Sequence, residues 1–134
     1  MDADQSTAFR ALSARANYLA LDRPDLCFGA KELCRDFAKP SSKSVGRLKR
    51  LVRYDVCKPR LVWRYDYESP SKALDVFCDT DFAGCMRTRR STSGGVAMLG
   101  SHTIKAWSTT QTIVAVSSAE AGLAGLSKGG MQGI

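Results

Sequence analysis

One change of rhythm governs what this chain can become. Up to about residue 57 its apolar residues recur every three or four positions; from Pro59 onward they recur every second one. Helical spacing followed by strand spacing predicts an α+β fold, helices first and a sheet after them. Phe9, Leu12, Ala16 and Leu19 form the stripe of a first helix ending near Leu21. Asp22 is placed to cap a second helix, with Pro24 in its first turn, where a missing N–H costs little. Leu26, Ala30, Leu33 and Phe37 make its inward face, and Pro40 follows its end. Ser41 or Ser44 starts a third helix with Val45, Leu48 and Val52 inward. Arg47, Lys49, Arg50 and Arg53 stand on its other face.

In the second half, Leu61, Trp63, Tyr65 and Tyr67 alternate with Val62, Arg64 and Asp66. That pattern predicts a half-buried strand whose aromatics are core, with stacking on bases as the alternative. Glu68 to Ser71 reads as a turn, dividing the chain into 1–68 and 69–134. Leu74–Cys78 is the next strand, Phe82–Ser93 a polar, basic loop, and Gly94–Leu99 a further strand. Gly100-Ser101 is a tight-turn signal, so His102–Trp107 is expected to pair back as a hairpin. His102 itself is expected to be exposed and uncommitted, and Trp107 to pack. Ser117 opens a last helix, in which Gly122, Gly125, Gly129 and Gly130 each cost about 1 kcal/mol relative to Ala. It is expected to fray by Lys128 and leave Gly129–Ile134 as a flexible end.

The 134 residues, 44% hydrophobic and 25% charged, suffice for a modest folded core. No run of eighteen apolar residues occurs, which predicts no membrane span, and the acidic start lacks the apolar stretch of a secretory signal. An intracellular location, cytoplasmic or nuclear, is expected. Five cysteines without a CxxC pair, beside a single histidine, argue against a disulfide framework or structural zinc. They read as buried free thiols. The net charge of +7 suits a polyanion. Its basic residues crowd together: ten lie between Arg35 and Arg64, against Asp36 and Asp55 alone. Nucleic-acid contact and a solvated face are the two readings of that run.

The densest chemistry lies in Phe77-Cys78-Asp79-Thr80-Asp81-Phe82-Ala83-Gly84. Asp79 and Asp81 share one face of an extended chain, and hard cations such as magnesium take oxygen ligands of this kind. The alternative is a polar strand end with Asp81 starting a turn. In the next loop, Arg87, Arg89 and Arg90 with Ser91, Thr92 and Ser93 can hold phosphates through charge and hydroxyls, or form an exposed loop only.

These runs (DTDFAG, RRSTSGGVAMLG and IKAWSTTQTIVAVSSAEAG) resemble the start of the ribonuclease H domain in Ty1/copia-type retrotransposon polyproteins. Upstream, FRALSARANYLALDRPDLCFGAKEL and the basic helix ending LVRY resemble the segment after the reverse transcriptase palm. The resemblance extends from about Phe9 to Leu126 and implies an incomplete ribonuclease H-like fold: a three-stranded antiparallel sheet plus its first helix. It implies a site that binds two magnesium ions through carboxylates and hydrolyses the RNA strand of an RNA–DNA hybrid. Asp79 matches the first-strand aspartate.

The family's helix reads Ser-Ser-x-Glu-Ala-Glu, with the second glutamate as ligand. Here Glu120 matches the first glutamate and Gly122 stands at the ligand position. Two helical positions differ by about 200°, so Glu120 points elsewhere, and its spacing from Ser117 is that of a capping box. By resemblance the candidate catalytic carboxylates are Asp79 and Glu120, the latter with helix capping as its structural reading, and the candidate magnesium ligands are Asp79 and Asp81. Candidate nucleic-acid contacts are Arg47, Lys49, Arg50, Arg53, Arg87, Arg89, Arg90, Ser91 and Ser93. The family's later carboxylates lie downstream of the residues present, so the chain is expected to be inactive alone. Leu74–Cys78 is then an exposed sheet edge, open to self-association. Four readings stand: a hybrid-cleaving enzyme fragment, a nucleic-acid binder without chemistry, a protein-interaction piece, and a decayed fragment without a selected role.

Overall fold

The structure is a computed structural model and describes residues 1–133. It contains four helices and an open three-stranded antiparallel sheet, an α+β fold. The chain divides into two compact units, Met1–Trp63 and Arg64 onward. No helix among the described residues is long and apolar enough to cross a membrane.

The first unit holds α1 (Ala3–Leu19), α2 (Pro24–Cys34) and α3 (Ser42–Cys57). Phe9, Leu33 and Leu48 form one buried cluster, with Phe37 edge-on to Phe9 at 6.5 Å between ring centres. Ala20, Leu26 and Ala30 form a second, and Leu51 packs against both. The inward faces differ in part from the expected stripes. Leu12, Leu19 and Val52 are exposed, while Ser13, Ala20 and Leu51 turn inward. The reason is breadth. Three short helices bury only a narrow strip of each other, and residues one position off it stay in water.

Asp22 does not cap α2; the N-cap is Arg23, which makes no side-chain cap bond. The Arg23 guanidinium instead bonds the Asp25 carboxylate at 2.8 Å, Asp55 at 3.1 Å and the Lys58 carbonyl at 2.9 Å. The start of α2 is thus tied to the end of α3. Ser41 caps α3 in a reciprocal box with Ser44. The hydrogen bond from Arg23, and after it one from the Tyr54 hydroxyl, hold the Asp25 carboxyl below the usual carboxylate range against the opposing effect of burial. A depressed carboxyl stabilises above its ordinary pKa near 4, and that contribution disappears as pH falls from there through the depressed value. Acid titration followed by helical circular dichroism is expected to show a loss of up to about 1 kcal/mol in this window. Asp25→Asn should abolish it.

All five cysteines are free thiols. Burial pushes Cys27 and Cys34 upward, which keeps them protonated and unreactive. The expectation of burial is met by none of them in full: Cys27, Cys34, Cys78 and Cys85 are half-buried, and Cys57 is exposed near the end of α3.

The predicted strand over 61–67 is absent: no regular structure runs from Pro59 to Ser71, and Trp63, Tyr65 and Tyr67 are exposed rather than core. Alternation yields a strand only where a neighbouring strand accepts its ladder, and the three-stranded sheet does not take this segment in. Polar tips anchor it instead. The Trp63 indole donates to the Asp22 carbonyl at 3.4 Å, and the Tyr65 hydroxyl to the Thr103 carbonyl at 3.3 Å.

The second unit is a meander of β1 (Leu74–Thr80), β2 (Thr92–Leu99) and β3 (His102–Thr110), with β2 central. Gly100 turns the hairpin at φ +59°, and a Cβ there would meet the Glu68 carboxylate, which accepts the Ser101 N–H at 3.0 Å. His102 is engaged, contrary to expectation. Its ring lies 2.9 Å from the Asp66 carbonyl, 3.5 Å from Glu68 and edge-on to Tyr65. Residues 65–68 are thereby latched onto the hairpin turn.

The last helix, α4 (Ser118–Gln132), runs beyond the expected fraying point at Lys128; of the expected flexible end, Ile134 lies outside the described residues. Its buried face is Ala121, Gly125 and Gly129. A Cβ on Gly125 would collide with the Thr80 hydroxyl, and one on Gly129 with the Cys78 sulfur. These two glycines are what let α4 lie down on β1. What reads in the sequence as weak propensity is a packing surface.

Candidate functional site

Asp79 occupies the penultimate position of β1, paired with Gly94, and is exposed. Its carboxylate folds back to accept the Thr80 N–H at 2.8 Å. Asp81 lies beyond the strand and serves the turn. Its N–H continues the ladder to the Thr92 carbonyl, its carboxylate accepts the Thr92 N–H, and a Cβ on Gly84 would strike it. The two carboxylates therefore have different employments. Glu120 caps the start of α4 by accepting the Val116 N–H at 2.7 Å, while Ser117 Oγ accepts the Glu120 N–H at 3.1 Å. The cap reaches one residue further back than a reciprocal box. Position 122 is open, since a Cβ on Gly122 meets nothing within 4 Å.

No group of three or more His, Cys, Asp or Glu side chains converges to hold a metal among the described residues. Two magnesium ions need several shared carboxylates. One exposed aspartate, one turn-forming aspartate and one helix-capping glutamate do not fit that requirement, and no step through a metal follows from them.

The loop from Phe82 to Arg90 is compact. The Arg89 N–H donates to the Cys85 carbonyl at 2.7 Å and the Cys85 N–H to the Arg90 carbonyl at 3.2 Å. Ala83 and Arg89 take positive φ, 52° and 56°. Arg87, Arg89 and Arg90 are exposed on its surface. Ser91 and Ser93 are not. Both are buried, and neither hydroxyl can reach a phosphate. Ser91 Oγ accepts the Ala83 N–H at 3.0 Å, and Ser93 Oγ accepts the Gln111 side-chain amide at 2.9 Å. Gln111 also donates to the Ala121 carbonyl at 2.8 Å, joining the end of β3 to α4. Sequence reasoning passed over Gln111; the available signal was a polar residue just before the short apolar run Thr112–Val116.

In the helical unit, Arg47, Lys49, Arg50 and Arg53 are all exposed on α3. Arg47 is 3.2 Å from the buried Asp36 carboxylate, which also accepts the Ser44 hydroxyl at 2.8 Å. Arg47 and Arg50 line a cleft of about 590 Å³ with Phe28, Asp25, Glu32 and Tyr54. The acidic side chains of α2 thus moderate one flank of the basic face. Lys49 and Arg53 stand clear of them.

No protein-family model matches the chain, and no solved structure does. Three proteins of Arabidopsis thaliana are similar in sequence. An uncharacterized mitochondrial protein, AtMg00810, is 34% identical over 112 residues, 84% of this chain and 46% of its own length. The retrovirus-related Pol polyproteins from transposons RE1 and RE2 are 30% and 31% identical over 115 and 120 residues, in each case 86% of this chain and 8% of the polyprotein. The chain thus spans less than half of the first relative and a small part of the other two. With most of its length aligned to two transposon polyproteins, this chain is a homologue of one segment of copia-type retrotransposon Pol polyproteins.

Proposed function

We propose that the chain is the connection segment and first half of a ribonuclease H-like domain, that it binds nucleic acid through its basic surfaces, and that it does not itself cleave RNA. The observation that carries this reading is the strand end. Asp79, which by resemblance matches the family's first-strand aspartate, lies on the first strand of an antiparallel meander followed by a helix, yet position 122 is glycine. An edge strand bearing Asp79 agrees with what the resemblance implies, while the carboxylate set is short. What remains is charge: a net +7, with exposed arginines on α3 and on the 82–90 loop.

Fluorescence anisotropy with an RNA–DNA hybrid of about 16 base pairs tests the proposal. Binding is expected to weaken steeply with salt, because each phosphate neutralised releases a condensed counterion. Arg89→Ala and Arg53→Ala should each lower the logarithmic salt slope by about 1. Asp79→Asn should leave binding intact, and the hybrid should stay uncut with magnesium present. Salt-independent binding, or cleavage lost on Asp79→Asn, would overturn the reading.

A further inference from the structure

We propose that the outer edge of β1 is a pairing surface for a second copy of this chain, joined antiparallel and centred on Val76. The direction of the backbone groups is fixed by the ladder. The Asp81 N–H donates to the Thr92 carbonyl, in register with Asp79 opposite Gly94 and Phe77 opposite Val96. In an antiparallel pair the bonded positions alternate, so residues 75, 77 and 79 turn their N–H and C=O groups toward β2. Leu74, Val76, Cys78 and Thr80 turn theirs outward. Among the described residues the sheet ends there, with β1 at its edge. The outward Thr80 N–H is already taken by the Asp79 carboxylate, which closes that end of the edge. Leu74, Val76 and Cys78 are left with backbone groups to offer. The strand between carries no proline, lysine or bulge, the usual guards of an exposed edge.

The charges choose the register. Two copies can pair outward groups with outward groups about residue 75, 76, 77 or 78. Centring on residue 75 sets Asp75 against itself, and centring on 77 sets Asp75 against Asp79 twice over. Centring on 78 sets Asp75 against Asp81 and needs the Thr80 N–H that Asp79 holds. Only the arrangement about Val76 avoids opposed like charges. It places Asp75 across from Phe77, Leu74 across from Cys78, and leaves Asp79 outside the paired stretch. Phe77, 59% exposed on the sheet face away from α4, gains cover from it. The joined sheet has six strands, with both α4 helices on one of its faces. This surface is independent of the nucleic-acid reading above, so each can fail alone.

Sedimentation velocity across a concentration series, with amide exchange on the same samples, tests the proposal on the chain as it stands. The expected result is a shift from monomer to twice the monomer mass, with the Val76 and Cys78 amides becoming protected as concentration rises. Phe77→Asp faces Asp75 of the second copy and should return the chain to monomer. Asp75→Lys combined with Phe77→Asp should restore the dimer. A monomer at every concentration overturns the proposal. So does a dimer whose Val76 and Cys78 amides exchange freely, a result that needs no substituted protein and marks a different interface.

Discussion

Gly129→Ala is expected to destabilise the sheet unit, whereas Gly122→Ala and Gly130→Ala are expected to stabilise it. All three remove a glycine from the interior of α4, and by helix propensity alone each should gain about 1 kcal/mol. The surroundings decide the sign. At positions 122 and 130 a Cβ meets nothing within 4 Å, so the gain is kept. At 129 the new methyl overlaps the Cys78 sulfur, and at 125 the Thr80 hydroxyl. Cys78 and Thr80 are short side chains held between sheet and helix, so relief requires α4 to lift away from β1. Overpacking of that kind costs about 1–3 kcal/mol, which exceeds the propensity gain in most of its range. For a unit of this size a net change of 1 kcal/mol moves the melting temperature by roughly 4–8 °C. Thermal melts monitored at Trp107 in a Trp63→Phe background should therefore move in opposite directions for Gly129→Ala and Gly122→Ala. Equal shifts would mean that α4 does not rest on β1 through its glycines.

The same helix shows where sequence reasoning reaches and where it stops. The hairpin was legible because a two-residue turn between alternating segments depends only on neighbours in the chain, and Gly100 at φ +59° is what such a turn demands. The third helix was legible from the apolar stripe of Val45 and Leu48 and from the serines ahead of it, of which Ser41 is the cap and Ser44 its partner. The fate of 61–67 was not, because a strand needs a partner and alternation carries no information about one. Nor was the role of Gly125 and Gly129, whose propensity argues against a helix and whose packing against Cys78 and Thr80 requires one. His102 was missed for a similar reason: its partners Tyr65, Asp66 and Glu68 lie more than thirty residues away. At the candidate site, the departure at Gly122 was readable from the motif alone. The turn role of Asp81 was one of the two readings of that strand end, and the choice between them depends on the fold of the 81–92 turn.

Leu33→Ala is expected to remove the cooperative fold of the helical unit. Leu33 is 1% exposed and joins Phe9 to Leu48, so it stands in contact with α1 and α3 from its place on α2. Truncating a buried leucine costs about 2–5 kcal/mol, the spread depending on how far the neighbours close the gap. Here closure is poor. Besides Leu33 the buried cluster holds only Phe9 and Leu48, with the half-buried Phe37, Val45 and Leu51 at its margin, so few side chains are placed to fill the gap. The upper half of the range therefore applies. Against this, a unit ending at Trp63 has a stability of only about 3–9 kcal/mol at the usual 0.05–0.15 kcal/mol per residue. With only Phe9, Ala20, Leu26, Ala30, Leu33 and Leu48 as buried apolar side chains, the unit belongs at the lower end of that range, where a loss of about 4 kcal/mol removes all of it. Trp63 reports the outcome, since its indole is bonded to the Asp22 carbonyl between α1 and α2. In a Trp107→Phe background its near-ultraviolet signal should lose its sigmoidal melt on Leu33→Ala. Leu12→Ala, at a position 45% exposed on α1, should leave that melt within about 1 kcal/mol of the parent. A sigmoidal melt retained in Leu33→Ala would mean that the cluster of Phe9, Leu33 and Leu48 is not what holds the three helices together.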